Sequence, residues 1–162
     1  MLRPRTFLIS LLVLPLAILV AACGGSNDNN NLNPNAPTPP KGPADLQIID
    51  ITVGDGDTLQ TGFQGTFNYT LWHYDPAGAD SKGAAVQSNV IQFRPGVTNI
   101  IAGVSQGVLG MQVHGKRRLI IPPSLAYGAF GSSDGSIAPN EWVVFEFELI
   151  EVRDCSVSTC NS

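Results

Sequence analysis

The chain predicts a fold of the α+β class, a twisted antiparallel β-sheet wrapped around one short α-helix, and three observations carry that expectation. Segments 64–72 (QGTFNYTLW) and 142–152 (WVVFEFELIEV) alternate apolar and polar residues, the period of strands with one wet face. Between them Ile100, Ile101, Val104 and Val108 fall at helical spacing, the single stripe of a short amphipathic helix that ends near Gly107 or Gly110. A helix with one apolar face must lie on a sheet.

In chain order, Arg3 and Arg5 precede an apolar segment from Phe7 to Val20, followed by Ala21, Ala22 and Cys23. That is the order of a secretory signal, so residues 1–22 are expected to be a signal peptide. Val20-Ala21-Ala22-Cys23 is similar to a bacterial lipobox, which makes Cys23 the expected site of lipidation; an ordinary signal peptide or an uncleaved anchor are the alternatives. By the same likeness, Gly24 after the cysteine, rather than an aspartate, favours an outer membrane facing the periplasm. Residues 23–43 are rich in Asn and Pro, with Leu32 as the one sizeable apolar residue between Ser26 and Pro43, and read as a tether that cannot bury a core.

Residues 44–154 have the size of one compact domain. Leu46–Val53 (LQIIDITV) alternates loosely, as an edge or half-buried strand does. Gly54-Asp55-Gly56-Asp57 turns the chain; it lacks the spaced oxygens and closing glutamate of a calcium loop. In 64–72, Phe67, Tyr69 and Leu71 share one face, the pattern of a central strand. The stretch 73–89 (HYDPAGADSKGAAVQSN) is rich in turn formers and reads as a long loop. Gly110–Lys116 matches the first seven positions of a phosphate-binding loop, but Arg117 stands where a Ser or Thr should hold magnesium, and the order is helix–turn–strand rather than strand–turn–helix. Leu119–Ile121 is a strand that Pro122 must end, leading into a loop with Tyr127. Residues 155–162 form a tail in which Cys155 and Cys160 either close a small disulfide loop, stay free or pair with another chain.

The sequence has 9 Lys+Arg against 13 Asp+Glu, a net charge of −4. Removing Arg3 and Arg5 with the signal makes the remainder more acidic, at −6, which argues against nucleic acid or an anionic membrane face as partner. The two histidines, His73 and His114, join no nucleophile or cysteine pair and read as exposed loop residues, so hydrolytic triads and metal sites find no support.

Three stretches, GVTNIIAGVSQGVLGM, GMQVHGKRRLIIPPSLAYG and NEWVVFEFELIEV, strongly resemble the FKBP-type peptidyl-prolyl isomerases, and the resemblance runs from about Asp50 to Val152. It implies an FKBP-like fold and a peptidyl-prolyl cis-trans isomerase that accelerates rotation about Xaa-Pro bonds while exported proteins fold. By place in the motifs, Tyr69, Phe93, Ile101, Tyr127 and Phe145 are implied as catalytic, and Ile100, Val104 and Ile137 as substrate-binding. Tyr127 would hold the substrate carbonyl, Phe93, Phe145 and Ile101 would grip the proline ring, and Ile137 with the loop before it would touch the preceding residue. Two places depart from the family. Val104 stands where it has a tryptophan floor. Its Phe-Asp pair corresponds either to Val86 and Gln87, which keeps the flanking glycine and serine in step, or to Ala79 and Asp80. The former is preferred, adding Val86 and Gln87 to the substrate-binding set. Implied partners are proline-containing unfolded or nascent polypeptides and macrolide inhibitors, with the membrane reached through the lipid anchor only. No cofactor is implied, and a monomer is expected. These departures also leave a second reading, an FKBP-fold peptide-binding or chaperone module with little turnover.

Overall fold

The computed structural model describes residues 38–155 and Cys160. The signal segment, Cys23 and the tether up to residue 37 lie outside the described residues, as do 156–159 and the last two residues of the tail.

Five strands form one antiparallel sheet: β1 (Gln47–Thr52), β2 (Gln64–Tyr74), β3 (Lys82–Phe93), β4 (Lys116–Ile121) and β5 (Val143–Arg153), in the order β1-β4-β5-β2-β3. The helix α1 (Ala102–Gly107) packs on β4, and short 3₁₀ turns occupy Ala79–Ser81, Pro123–Leu125 and Gly128–Phe130. Alternation decides which side chains go in. Phe67 and Leu71 of β2, Leu119 and Ile121 of β4, and Phe147 and Leu149 of β5 are all buried in one cluster with Val104 and Val108. Tyr74, Ile120 and Val144 point to the other face, where Trp72 and Trp142 cover them. β1 is an edge strand with all six residues exposed.

The helix can come close to the sheet because it presents glycine there. A Cβ on Gly107 would lie 2.5 Å from Leu119 Cδ1, and one on Gly103 would press into Ile121 and stand 3.1 Å from the Leu125 carbonyl oxygen. Its C-terminal end is held by Arg117, whose Nη1 donates to the carbonyls of Gly107 and Leu109, both at 2.9 Å, while Nε donates to Asp50 at 2.6 Å. A buried cation at a helix C-terminus answers carbonyls that have no partner inside the helix. The residue that breaks the likeness to a phosphate loop thus has a structural duty.

Three expectations need correction. Most of the stretch 73–89 is strand: His73 and Tyr74 finish β2, and β3 starts at Lys82, leaving Asp75–Ser81 as the connection. The small and polar residues of β3 are weak strand formers, but pairing along the whole length of β2, with irregularities after Leu71 and Trp72, overrides that preference. The helix is also shorter than its apolar stripe. Ile101 is extended (φ −55°, ψ 138°) and its carbonyl accepts the Val104 and Ser105 N–H groups at 3.1 Å each, so Ile100 and Ile101 lead into the helix rather than belong to it. His73 is not a loop residue: its Nδ1 bonds to Glu141, a buried carboxylate. In the tail, Cys155 and Cys160 form a disulfide.

Candidate active site

Where β2, β5 and the far end of β3 face the approach to α1, the inner face leaves a cavity of about 120 Å³, walled by Tyr69, Gln87, Ile91, Ile100, Ile101, Val104, Tyr127, Phe145 and Phe147. No charged side chain is among them. Phe145 and Phe147 alternate inward on β5 with ring centroids 5.4 Å apart, and the Tyr69 ring stands across from them at 6.0 and 5.8 Å. These strands are adjacent, with Tyr69 in register with Phe147 and Leu71 with Phe145. Val104 closes the base from the helix, and being valine it leaves the base low. Ile100 and Ile101 line it because the chain is still extended there.

Two phenols supply the polarity. The Gln87 side-chain amide donates to the Tyr69 oxygen, which leaves the Tyr69 proton free to donate elsewhere. Tyr127 enters from the loop after β4, where Pro122 and Pro123 end the strand. Burial raises the Tyr127 phenol above its ordinary pKa of 10.0, with smaller contributions from Tyr69 and Asp134, so it stays a neutral donor through the physiological range.

The structure does not bring every expected residue to the cavity. Phe93 is buried in the core beyond it: opposite Gly65, which has no side chain, it stacks on Phe67 at 4.8 Å. Its place in the wall is taken by Ile91, two residues earlier on the same face of β3. Ile137 is also fully buried, packed in the core with its N–H and carbonyl bonded to Ser132, and presents no side chain to a ligand. Val86 rests partly buried against the core at the irregularity in β3, beside Gln87 but outside the cavity wall. Asp80, the rival to Gln87, sits in the 3₁₀ turn with φ 59° and pairs with Arg118 at 2.9 Å, away from the cavity. Ile91 and Phe147 are the lining residues not anticipated; Phe147 shares the inward phase of Phe145, and that periodicity is the signal that marks it.

A larger cleft, about 450 Å³, crosses the outer face of the sheet and includes Asn68, Thr70, Ser88, Lys116, Glu146 and Glu148. Apolar Ile51 and Val90 also line it, but it lies open across the sheet with Lys116, Glu146 and Glu148 among its lining side chains, Lys116 standing 3.7 Å from Glu148. An apolar ring finds no enclosed seat there, so the smaller cavity is the candidate site.

A sequence profile described as FKBP-type peptidyl-prolyl cis-trans isomerase matches residues 50–150. The chain belongs to that family. This FKBP-type isomerase is 40% identical over 110 residues to an FK506-binding protein of Streptomyces anulatus, a match that covers 68% of the chain and 88% of that protein. Among solved structures it is similar to a peptidyl-prolyl cis-trans isomerase of Pseudomonas syringae pv. tomato (TM-score 0.56, 27% identity), over 77% of the chain and 86% of the other. It is also similar to FkpA of Escherichia coli (TM-score 0.55, 27% identity), over 67% of the chain but only 48% of that longer protein. The five-stranded antiparallel sheet with one short helix is the FKBP arrangement, and in this FKBP domain the aromatic wall, the two phenols and the low Val104 base lie together between sheet and helix.

Proposed function

We propose that this isomerase acts on proline-containing segments of exported polypeptides, with the reacting bond seated among Tyr69, Ile101, Tyr127 and Phe145. The observation that carries the proposal is an aromatic cavity with no charged side chain in its wall and with the Tyr69 and Tyr127 phenols among its lining residues. Rotation about an Xaa-Pro bond faces a barrier of roughly 20 kcal/mol because twisting breaks amide resonance, and it requires no proton transfer or nucleophile. The planar amide is more dipolar than the twisted one, so an apolar seat disfavours the ground state relative to the transition state. A 10³-fold acceleration asks for about 4 kcal/mol, within reach of such a cavity with one or two hydrogen bonds. Phe145, Ile101 and Ile91 embrace the proline ring, Ile100 and Val104 support it from below, and Tyr127 donates to the carbonyl of the residue before proline. Gln87 aims the Tyr69 hydroxyl at the same seat, with Val86 backing that strand. A macrolide with an apolar ring and a carbonyl would use the same contacts, as the name of the Streptomyces relative suggests.

The exported setting rests on the N-terminal sequence: the Arg3/Arg5 start, the apolar run and Cys23 as a lipid-bearing first residue of an envelope-anchored protein, placed by Gly24 at an outer membrane facing the periplasm. The Cys155–Cys160 disulfide suits an oxidising compartment.

Exchange NMR on Xaa-Pro peptides tests the site. Tyr127→Phe and Phe145→Ala are each expected to slow isomerisation in a folded protein; unchanged rates in both would place the chemistry elsewhere, and peptide binding without acceleration would favour a holding module. Palmitate labelling that persists in Cys23→Ala would remove the anchor.

A further inference from the structure

Just before β5 begins, the fold keeps one carboxylate out of water: Glu141 is 7% exposed. Burying a carboxylate costs free energy unless its oxygens find partners. Here both do. One oxygen bonds to His73 Nδ1 on β2, and the other accepts the Ala138 N–H at 2.7 Å. His73 belongs to the alternate positions of β2 that run Tyr69, Leu71, His73, so a single strand carries a cavity phenol and the anchor of this carboxylate.

The loop that Glu141 grips is the one Tyr127 opens. Among the described residues no hydrogen bond holds the Tyr127 hydroxyl, so the phenol stands where its backbone puts it. Before Tyr127 that backbone is set by a turn in which the Leu125 and Ala126 N–H groups donate to the Pro122 and Pro123 carbonyls, at 3.0 Å each. After it, the carbonyl of the very next residue, Gly128, accepts the Asn140 N–H at 2.8 Å. The donor is in a left-handed conformation (φ 57°), which a residue other than glycine seldom adopts without support. Glu141 gives that support. Reaching back three residues to Ala138, it spans Pro139 and Asn140 and fastens them to β2 through His73. We infer that Glu141 is a positioning residue for isomerisation, which sets, through Asn140 and Gly128, the place from which Tyr127 donates to the substrate carbonyl. The inference rests on the role proposed for Tyr127.

The test is a double-mutant cycle in the full chain, with kcat and KM on one Xaa-Pro peptide from exchange NMR and a urea titration to show that each variant is folded. Glu141→Met fills the site without accepting a hydrogen bond. With the Tyr127 hydroxyl present, kcat should fall about three- to tenfold, within the span of one neutral hydrogen bond, while KM stays near its native value. In the Tyr127→Phe background the same substitution should have no further effect on kcat, because the hydroxyl it positions is gone. Glu141→Gln can accept the Ala138 N–H with its oxygen and offer its amide N–H to His73, and should keep most of the native kcat. If Glu141→Met does not fold, His73→Leu releases the same anchor from a partly exposed position and the cycle is run with it. Equal losses with and without the Tyr127 hydroxyl, a loss residing in KM, or a native kcat overturns the inference and leaves the isomerase reading in place. A Tyr127→Phe variant that turns over at the native rate removes the role of Tyr127, and the inference with it.

Discussion

Replacing Gln87 separates the chemistry of the pocket from the stability of the fold. Gln87 is exposed on an edge strand, so its loss should change stability by no more than about 0.5 kcal/mol. Its amide nevertheless donates to the Tyr69 oxygen, and that bond decides where the Tyr69 proton points. Gln87→Leu removes the donor. One neutral hydrogen bond is worth about 0.5–1.5 kcal/mol, so kcat/KM on an Xaa-Pro peptide should fall about two- to tenfold as the phenol loses its orientation. Gln87→Glu is the more pointed change, because a carboxylate can only accept: Tyr69 would donate to it and its proton would be withdrawn from the substrate. The Glu variant should therefore be at least as slow as the Leu variant, although it keeps a polar partner. Exchange NMR gives the rates and urea titration checks that each variant is folded. If both variants turn over at the native rate, the Tyr69–Gln87 pair has no part in isomerisation.

Arg117→Met takes the cation from two helix-end carbonyls and should cost about 2–4 kcal/mol in a urea melt, with refutation at a loss below 1 kcal/mol. Gly103→Ala sets a helix-propensity gain of about 1 kcal/mol against overpacking on Ile121 and the Leu125 carbonyl; the net should be a loss of about 1–2 kcal/mol, and a stabilised variant would show that α1 can back away from β4. Hydrogen bonds from Ser132 and Ser136 lower the Asp134 carboxyl from 3.8 to about 2. Because the folded pKa lies below the unfolded one, this contribution is complete above pH 4 and is lost as pH falls from about 4 to 2. The Ser136 amide resonance should titrate with a midpoint about 2, and a midpoint near 3.8 would mean that the loop is open.

The parts of the fold that can be read from sequence are those where one face is apolar and the other wet. β2 and β5 show it plainly, with Phe67, Tyr69 and Leu71 on one strand and Phe145, Phe147 and Leu149 on the other. β3 hides because its pairing comes from β2 rather than from its own small and polar residues, among them Gly83, Ala84 and Ala85. Ile100 and Ile101 sit at helical spacing yet precede the helix, since two apolar residues on an extended approach can reach the same cavity as the first turn. For the site, spacing places side chains on a face but does not say how far along it the cavity extends. That is why Phe93 lies in the core and Ile91 at the wall, on the same side of one strand. Ile137 is withheld for another reason: Ser132 draws its backbone inward, a contact that no local pattern announces.

Trp142 is anchored on the outer face of the sheet, where its indole N–H donates to the Pro43 carbonyl at 2.9 Å and its ring lies against Gly42, at which a Cβ would stand 2.6 Å from the indole Cδ1. The chain therefore joins the domain on the side away from the cavity. Gly42 and Pro43 are thereby fastened to the outer cluster of Tyr74, Ile120 and Val144 through Trp142, not to the aromatic wall of the cavity.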